Sequence, residues 1–147
     1  MKILFDTNTV LDLLLDREPF VDPVAQLFSL VERGDLLGCL GATTITTLYY
    51  LASKVMGKKS AQKEIQKLLV LFEIAPVNHP VLQAALQSGF PDFEDGVIHE
   101  AARFTGADGI VTRDPKGFKK AEIRIYSPEE LIQELIKSLI LTSGLST

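Results

Sequence analysis

The first dozen residues constrain the fold of this chain more than any other segment. Residues 1–5 form a short apolar run that ends abruptly at Asp6, and residues compatible with a helix follow. This pattern predicts a buried parallel strand that brings Asp6 to its carboxyl end, where open α/β sheets bind their ligands. A carboxylate is costly to dehydrate there unless a cation or a hydrogen-bond donor meets it. Asp6 is therefore the first candidate for a functional site.

Strand-like and helix-like segments alternate along the rest of the chain. The predicted strands cover residues 1–5, 36–40, 72–77, 109–112 and 123–126. The predicted helices cover residues 9–15, 22–33, 43–56, 60–72, 78–88, 92–104 and 128–140. Asp22, Ser60 and Ser127 are the expected N-caps of three helices, and Glu130 completes a capping box with Ser127. The alternation predicts an α/β fold with a mainly parallel sheet, although the strand order stays open.

The composition favours one globular domain over residues 1–147. The apolar content of 46% argues against disorder, and the apolar runs are too short to cross a membrane. The single cysteine, Cys39, excludes a disulfide framework within the chain, fits a reducing cytoplasm and is expected to be an inert buried thiol. The net charge of −4 does not suggest a general nucleic-acid binder, but residues 113–124 are rich in Lys and Arg. The last few residues are expected to fray.

Acidic residues lie at the ends of several predicted elements. Asp92 and Asp95 open one helix three residues apart, and Asp114 follows the strand at 109–112. Each acid alone is explained by helix capping or turn chemistry. In a parallel sheet, however, Asp6 and Asp114 lie at the same edge, where like charges repel unless a divalent cation binds between them. Oxygen ligands favour Mg²⁺ or Mn²⁺, which can activate water for attack on a phosphodiester.

Three segments carry a resemblance to a known family: residues 3–8, residues 92–95 and residues 110–114. In this order and at these intervals the chain resembles the PIN domain (PilT N-terminus), including the VapC-type nuclease toxins of bacterial toxin–antitoxin pairs. The resemblance implies a three-layer α/β/α sandwich with a mainly parallel central sheet. It also implies a ribonuclease that uses Mg²⁺ or Mn²⁺.

The resemblance also assigns candidate roles to individual residues. It implies that Asp6, Asp95 and Asp114 are the catalytic and metal-binding acids and that Asp92 is an accessory metal ligand. Asn8 matches a polar position that helps to arrange the first acid. We predict that Asn8, Arg113 and Lys116 contact the substrate, because the two cations flank Asp114 and can steer an RNA backbone to it. His99 is a weaker candidate for touching water or phosphate.

One position departs from the family pattern. The third helix of the family usually carries a glutamate where this chain has Thr47, and a neutral hydroxyl binds a hard cation less well than a carboxylate does. We therefore keep two alternatives: Asp92 compensates for the lost charge, or the chain is a non-catalytic PIN scaffold that binds RNA or an antitoxin. A haloacid-dehalogenase-like phosphatase is a weaker alternative, because Asn8 cannot serve as its second catalytic aspartate.

The family resemblance also implies partners. The expected partners are an RNA substrate, a protein antitoxin and a second copy of the chain, with no membrane. An apolar antitoxin segment is expected in a groove near Leu11, Leu14, Leu15 and Phe20. A dimer would use apolar residues of the last helix, for which packing within the chain is the simpler explanation.

Overall fold

Five short strands form one parallel sheet at the centre of the computed structural model, which describes residues 1–145. The strands are β1 (Lys2–Phe5), β2 (Leu37–Gly41), β3 (Glu73–Ala75), β4 (Gly109–Val111) and β5 (Arg124–Tyr126). Their order across the sheet is β3-β2-β1-β4-β5, and all four neighbouring pairs are parallel. The predicted parallel α/β fold is therefore confirmed, and the strand order that the sequence left open is fixed.

Helices cover both faces of this sheet. Within residues 1–145 they are α1 (Thr7–Leu14), α2 (Val21–Glu32), α3 (Ala42–Met56), α4 (Lys58–Leu71), α5 (His79–Gln87), α6 (Phe93–Phe104) and α7 (Pro128–Leu145), with a 3-10 helix at Pro115–Phe118. None of these helices is both long enough and apolar enough to cross a membrane.

The side chains of β1 alternate between two separate cores. Ile3 and Phe5 pack with residues of α1, α2, α3, α4 and α7. Leu4, on the opposite face, packs with residues of α5 and α6. Because successive strand residues point to opposite faces, one buried strand supplies both cores, and the three-layer α/β/α arrangement follows.

The strand order places a crevice at the end of β1. From β1 the chain continues to β2 and β3 on one side, whereas β4 and β5 lie on the other side. This reversal between β1 and β4 is the topological switch point of an open α/β sheet, where ligands bind outside the carboxyl ends of the strands. Phe5 pairs with Val111 at this edge, so the residues that follow these two strands meet there.

Two predicted helix caps are wrong, and one is confirmed. Helix α2 begins at Val21 with Phe20 as N-cap, so Asp22 lies in the first turn. Its negative charge interacts favourably there with the positive end of the helix dipole. Helix α4 begins at Lys58 directly after Gly57, which places Ser60 inside the helix. The capping box at Ser127 and Glu130 forms as expected, with both reciprocal hydrogen bonds present.

The end of the chain also differs from the expectation. Helix α7 continues to Leu145 instead of ending near residue 140. Fraying is predicted for the last few residues, and two of them, residues 146–147, lie outside the part of the chain that the structure describes. The turn chemistry expected at Asp114 takes the form of the 3-10 helix at Pro115–Phe118, with Asp114 as its N-cap.

Gly38 allows β2 to approach an aromatic cluster in the core. The rings of Phe5 and Phe28 meet edge to face at 5.6 Å, and Phe72 packs against both. A Cβ atom at Gly38 would lie 2.5 Å from the Phe72 ring and 3.2 Å from Val31. Any larger residue at this position must therefore displace the ring.

We expect the substitution Gly38→Ala to lower the free energy of unfolding by about 1–3 kcal/mol, because it overpacks this core. Gly41→Ala in the same strand is the matched control, since its Cβ would meet ordinary contacts at 3.6 and 3.8 Å. Urea denaturation of both variants measures the difference. Equal losses of stability would contradict the close approach at Gly38.

Candidate functional site

Asp6 lies at the carboxyl end of β1 with its carboxylate almost fully buried. It is the N-cap of α1, and its Oδ1 accepts a hydrogen bond from the Thr7 amide at 2.8 Å. Its Oδ2 accepts a second hydrogen bond from the Thr112 hydroxyl at 2.8 Å. The two donors fix the direction of a carboxylate that keeps only 7% of its surface exposed.

Thr112 connects the residues that follow β1 to those that follow β4. Its buried hydroxyl donates to Asp6 and accepts from the Asp114 amide at 3.1 Å and from the Asn8 side-chain amide at 3.4 Å. A hydroxyl has one proton and two lone pairs, so these three bonds use all of its capacity. Thr112 thereby holds the start of the segment that carries Asp114 against the end of β1.

Asp92 and Asp95 lie at the start of α6, which packs against the sheet beside the 3-10 helix. Asp92 is the N-cap, and its Oδ1 accepts from the Asp95 amide at 3.2 Å. A Cβ atom on Gly117 would lie 2.7 Å from Asp95 Oδ2, so this carboxylate faces the 3-10 helix that begins directly after Asp114. The structure therefore brings Asp95 to the same sheet edge as Asp6 and Asp114.

Two of the acids at this edge, Asp6 and Asp95, have a raised pKa. Burial, as the largest cause, and the negative charges of its neighbours together raise the pKa of the Asp95 carboxyl to about 6. The neighbours are, in decreasing order of effect, Asp6, Asp92, Asp114 and Glu94. Burial also raises the pKa of Asp6, while the hydrogen bonds from Thr112 and Thr7 oppose that rise. The cluster thus holds negative charge that is only partly neutralised by hydrogen bonds.

The chemistry of these side chains fits a hard divalent cation. Every donor is a carboxylate oxygen, which suits Mg²⁺ or Mn²⁺, and a cation would remove the repulsion that raises the pKa of Asp95. Within residues 1–145, however, no three His, Cys, Asp or Glu side chains are already grouped to hold a metal ion. A cation would therefore have to draw the carboxylates together by side-chain rotation, which the exposure of Asp92 and Asp114 permits.

The predicted substrate-contacting residues lie in the same region but differ in their contacts. Asn8 bridges α1 and the segment after β4, because its Oδ1 accepts from the Arg113 amide at 3.3 Å. The Arg113 side chain forms an ion pair with Asp12 at 2.9 Å. Lys116 is exposed in the 3-10 helix. Contact of these three residues with a substrate stays a prediction.

Thr47 lies in α3, one turn after Thr44. The buried Thr44 hydroxyl hydrogen-bonds the Thr7 hydroxyl at 2.9 Å, which places this face of α3 beside the start of α1. Residues three apart on a helix share a face, so Thr47 lies on the side of α3 that is turned towards α1. Thr47 is half-buried there.

Sequence reasoning overlooked Thr112, Glu94 and Asp12. A hydroxyl as the last residue of a predicted strand was the available signal for Thr112, and Glu94 lay within a segment already singled out. Two other residues considered from the sequence, His99 and Cys39, are buried in the structure. His99 is buried, with its Nε2 accepting from the Glu122 amide at 3.0 Å, and so does not face a substrate. Cys39 is buried as expected, and burial raises the pKa of its thiol to about 12.

Comparison with known proteins gives consistent matches over most of the chain. A family model described as PIN domain matches residues 2–116, a segment that contains Asp6, Asp95 and Asp114. Ribonuclease VapC1 of Aquifex aeolicus (strain VF5) is 27% identical over 139 residues, which are 90% of this chain and 94% of that protein. The crystal structure of FitAcB from Neisseria gonorrhoeae matches with a TM-score of 0.65 at 26% identity, covering 86% of this chain and 98% of the other. A toxin-antitoxin complex from Klebsiella pneumoniae matches with a TM-score of 0.65 at 19% identity, covering 86% and 97%.

Without divalent cations, we expect the Asp95 carboxyl to titrate near pH 6 instead of near its usual value of 3.8. At this carboxyl the folded protein then binds more protons than the unfolded chain between these values, so the contribution of Asp95 to stability falls as pH rises through that interval. Carboxyl ¹³C NMR titration measures the pKa directly. Glu94→Gln should lower the pKa of both Asp95 and Asp6, whereas Glu134→Gln in α7 should leave both unchanged. An Asp95 pKa near 3.8 in the unsubstituted protein would contradict the crowding of charges.

Proposed function

This chain belongs to the PIN domain family, and from that premise we propose that it is a metal-dependent ribonuclease that cleaves RNA phosphodiester bonds. We propose further that it is the toxin, or a toxin-like member, of a toxin–antitoxin pair. The observation that carries the proposal is the gathering of Asp6, Asp95 and Asp114 at the switch point of the sheet. A related protein, 27% identical, is named a ribonuclease.

In the proposed mechanism, Asp6, Asp95 and Asp114 hold Mg²⁺ or Mn²⁺, with Asp92 in support. When bound, such an ion would lower the pKa of a water molecule, and its positive charge would offset the negative charge of the reacting phosphate. Thr7 and Thr112 keep the Asp6 carboxylate in a fixed direction, so that little reorganisation is needed when substrate binds. Gly117 leaves room for the Asp95 carboxylate.

The surroundings of these acids suit a charged polymer as the substrate. Asp114 and Lys116 are exposed, so a phosphate can approach this edge from solvent. Lys116 adds a positive charge in the 3-10 helix that follows Asp114, where it would attract the RNA backbone. The acids alone would repel RNA, and therefore binding at this edge depends on the cation and on Lys116.

An antitoxin is the proposed protein partner, because relatives with this fold include a toxin-antitoxin complex. A groove of about 270 Å³ lies between α1, α2 and α4 and is mainly apolar; it is lined by Leu13, Leu14, Phe28, Glu32, Glu64, Lys67, Leu68 and Leu71. Of the groove residues predicted from sequence only Leu14 is among these. Leu11 lies in the core, and Phe20 packs beneath the Arg113 guanidinium.

We propose α7 as the surface through which two copies of the chain would associate. Leu131 is fully buried and Leu135 packs against the core, so these two residues serve packing within the chain. Ile136, Leu139 and Ile140 on the same helix are 44%, 55% and 63% exposed. This exposed part of α7 is the surface that a dimer would cover.

Thr47 favours a second candidate function, a PIN scaffold that binds RNA or an antitoxin without cleavage. A threonine in place of the usual glutamate removes one negative charge from the face of α3 that is turned towards α1. Fewer charged oxygen donors weaken the affinity for Mg²⁺ or Mn²⁺. The two candidate functions therefore differ in one measurable quantity, the affinity of the chain for the metal.

The substitution Asp6→Asn tests the nuclease directly. We expect the unsubstituted protein to cleave bacterial total RNA with Mn²⁺ but not with EDTA, and Asp6→Asn to lower the rate by at least about 100-fold because it removes a charged ligand. Asp35→Asn, which alters an exposed ion pair with Arg33, is the matched control and should keep full activity. Cleavage by Asp6→Asn at the unsubstituted rate would refute the proposed mechanism.

The substitution Thr47→Glu tests the departure from the family. We expect it to lower the Kd for Mn²⁺ by roughly tenfold or more, since it restores a charged ligand. Thr46→Glu, on the exposed side of the same helix, should have little effect. Isothermal titration calorimetry measures each affinity. If only Thr47→Glu binds Mn²⁺ at millimolar concentration, the natural chain is the scaffold; if Thr47→Glu and the unsubstituted protein bind equally, Thr47 does not lie at the metal site.

A further inference from the structure

A buried ion pair lies beside the acidic cluster. Asp12 in α1 is fully buried, and its Oδ2 lies 2.9 Å from Arg113 Nε. A second cation, Arg17, lies 3.7 Å from Oδ1. Neither carboxylate oxygen has a well-aligned hydrogen bond among residues 1–145, so attraction to these two cations must offset the cost of dehydrating Asp12.

The guanidinium of Arg113 is held from a second side as well. Its carbon lies 4.3 Å from the centre of the Phe20 ring, within the range of a cation–π interaction. The side chain is 36% exposed, and its charge is already engaged by Asp12 on the inner side. Arg113 is therefore less available to bind a phosphate than its position in the sequence suggests.

Arg113 also lies between Thr112, which contacts the acidic cluster, and Asp114, which belongs to it. Thr112 on one side donates to Asp6, and Asp114 on the other side donates its amide to Thr112. The Arg113 amide itself donates to Asn8 in the first turn of α1. The main chain of this segment is thus tied to the start of α1, and the Arg113 side chain ties it again to Asp12 further along the same helix.

We propose that the Asp12–Arg113 ion pair is a positioning element that fixes the segment at residues 112–114 on α1 and so sets where Asp114 stands relative to Asp6. This inference rests on the proposed nuclease function, and it assigns Arg113 a role different from contact with substrate. A buried carboxylate without its cation is strongly unfavourable, so the pair resists separation. Because Asp114 is exposed and its side chain has no hydrogen bond of its own among the described residues, its placement depends on its main chain.

The test compares Arg113→Gln, Asp12→Asn and the double variant, with Arg17→Gln as the matched control. Arg17 contacts the same carboxylate but lies outside the 112–114 segment. We expect each single variant to lower kcat for RNA cleavage by roughly 10- to 100-fold, as loss of supporting contacts around a metal site does. KM and the salt dependence of cleavage should stay near the unsubstituted values, and Arg17→Gln should keep its kcat within about twofold.

The double variant separates positioning from simple stabilisation. Arg113→Gln leaves Asp12 buried without its nearest cation, so the melting temperature should fall; adding Asp12→Asn removes that buried charge and should recover part of the loss. The expected result is recovery of the melting temperature without recovery of kcat. If kcat recovers together with the melting temperature, the pair only stabilises the fold and the proposal is overturned.

Two further outcomes would also overturn the proposal. Arg113→Gln could raise KM and flatten the salt dependence while Asp12→Asn does neither, which is the behaviour of a residue that binds RNA phosphate. Alternatively, both single variants could keep the unsubstituted kcat. Asp12 is fully buried and cannot contact RNA. If Asp12→Asn and Arg113→Gln lower kcat alike, contact between Arg113 and RNA does not explain the loss.

Amide hydrogen exchange gives a readout that needs neither metal nor nuclease activity. In the metal-free protein, we expect the Asp114 amide, which donates to Thr112 at 3.1 Å, to exchange faster in Arg113→Gln and Asp12→Asn but not in Arg17→Gln. Unchanged exchange in both variants would overturn the proposal. If the unsubstituted protein cleaves no RNA, the proposed function fails while this measurement still decides whether the pair holds Asp114 in place.

Discussion

The hydrogen bond from Thr112 to Asp6 is the contact on which the rest of the site depends. It joins the carboxyl ends of two neighbouring parallel strands, and its acceptor is a carboxylate that is almost completely removed from water. Without a donor at this point, burial of Asp6 would be unfavourable, and the start of α1 would lose one of its contacts with the segment after β4. Because the same hydroxyl also accepts from Asn8 and Asp114, one side chain sets the relative placement of three polar residues.

Capping and clustering are complementary uses of the same acids. Asp6 caps α1 with one oxygen, and Asp92 caps α6 with one oxygen, as an isolated view of each residue would predict. Each cap leaves the second oxygen of the carboxylate available for another contact, which for Asp6 is the Thr112 hydroxyl. The helix starts therefore aim several negative charges at one edge of the sheet, and burial together with the proximity of these charges raises the pKa of Asp95.

The sequence predicted the parallel α/β fold, the acids that lie at the strand ends and the family, because strand periodicity, capping chemistry and short motifs are local features. It did not predict the strand order or the contacts of Thr112 and Asp12, whose partners are about a hundred residues away along the chain. The N-caps predicted at Asp22 and Ser60 are wrong for a different reason. Both helices begin earlier than the capping preference indicates, with Phe20 and Gly57 as the N-caps.

The pairing of β1 with β4 determines when the acidic edge can form during synthesis. The partners Asp6 and Thr112 are separated by 106 positions, and β4 fills the place between β1 and β5. A nascent chain that has released only its amino-terminal half holds Asp6 without Thr112, Asp95 or Asp114. Such long-range closure is slow compared with helix formation. A growing polypeptide still attached to the ribosome therefore carries no assembled carboxylate cluster until Asp114 has emerged.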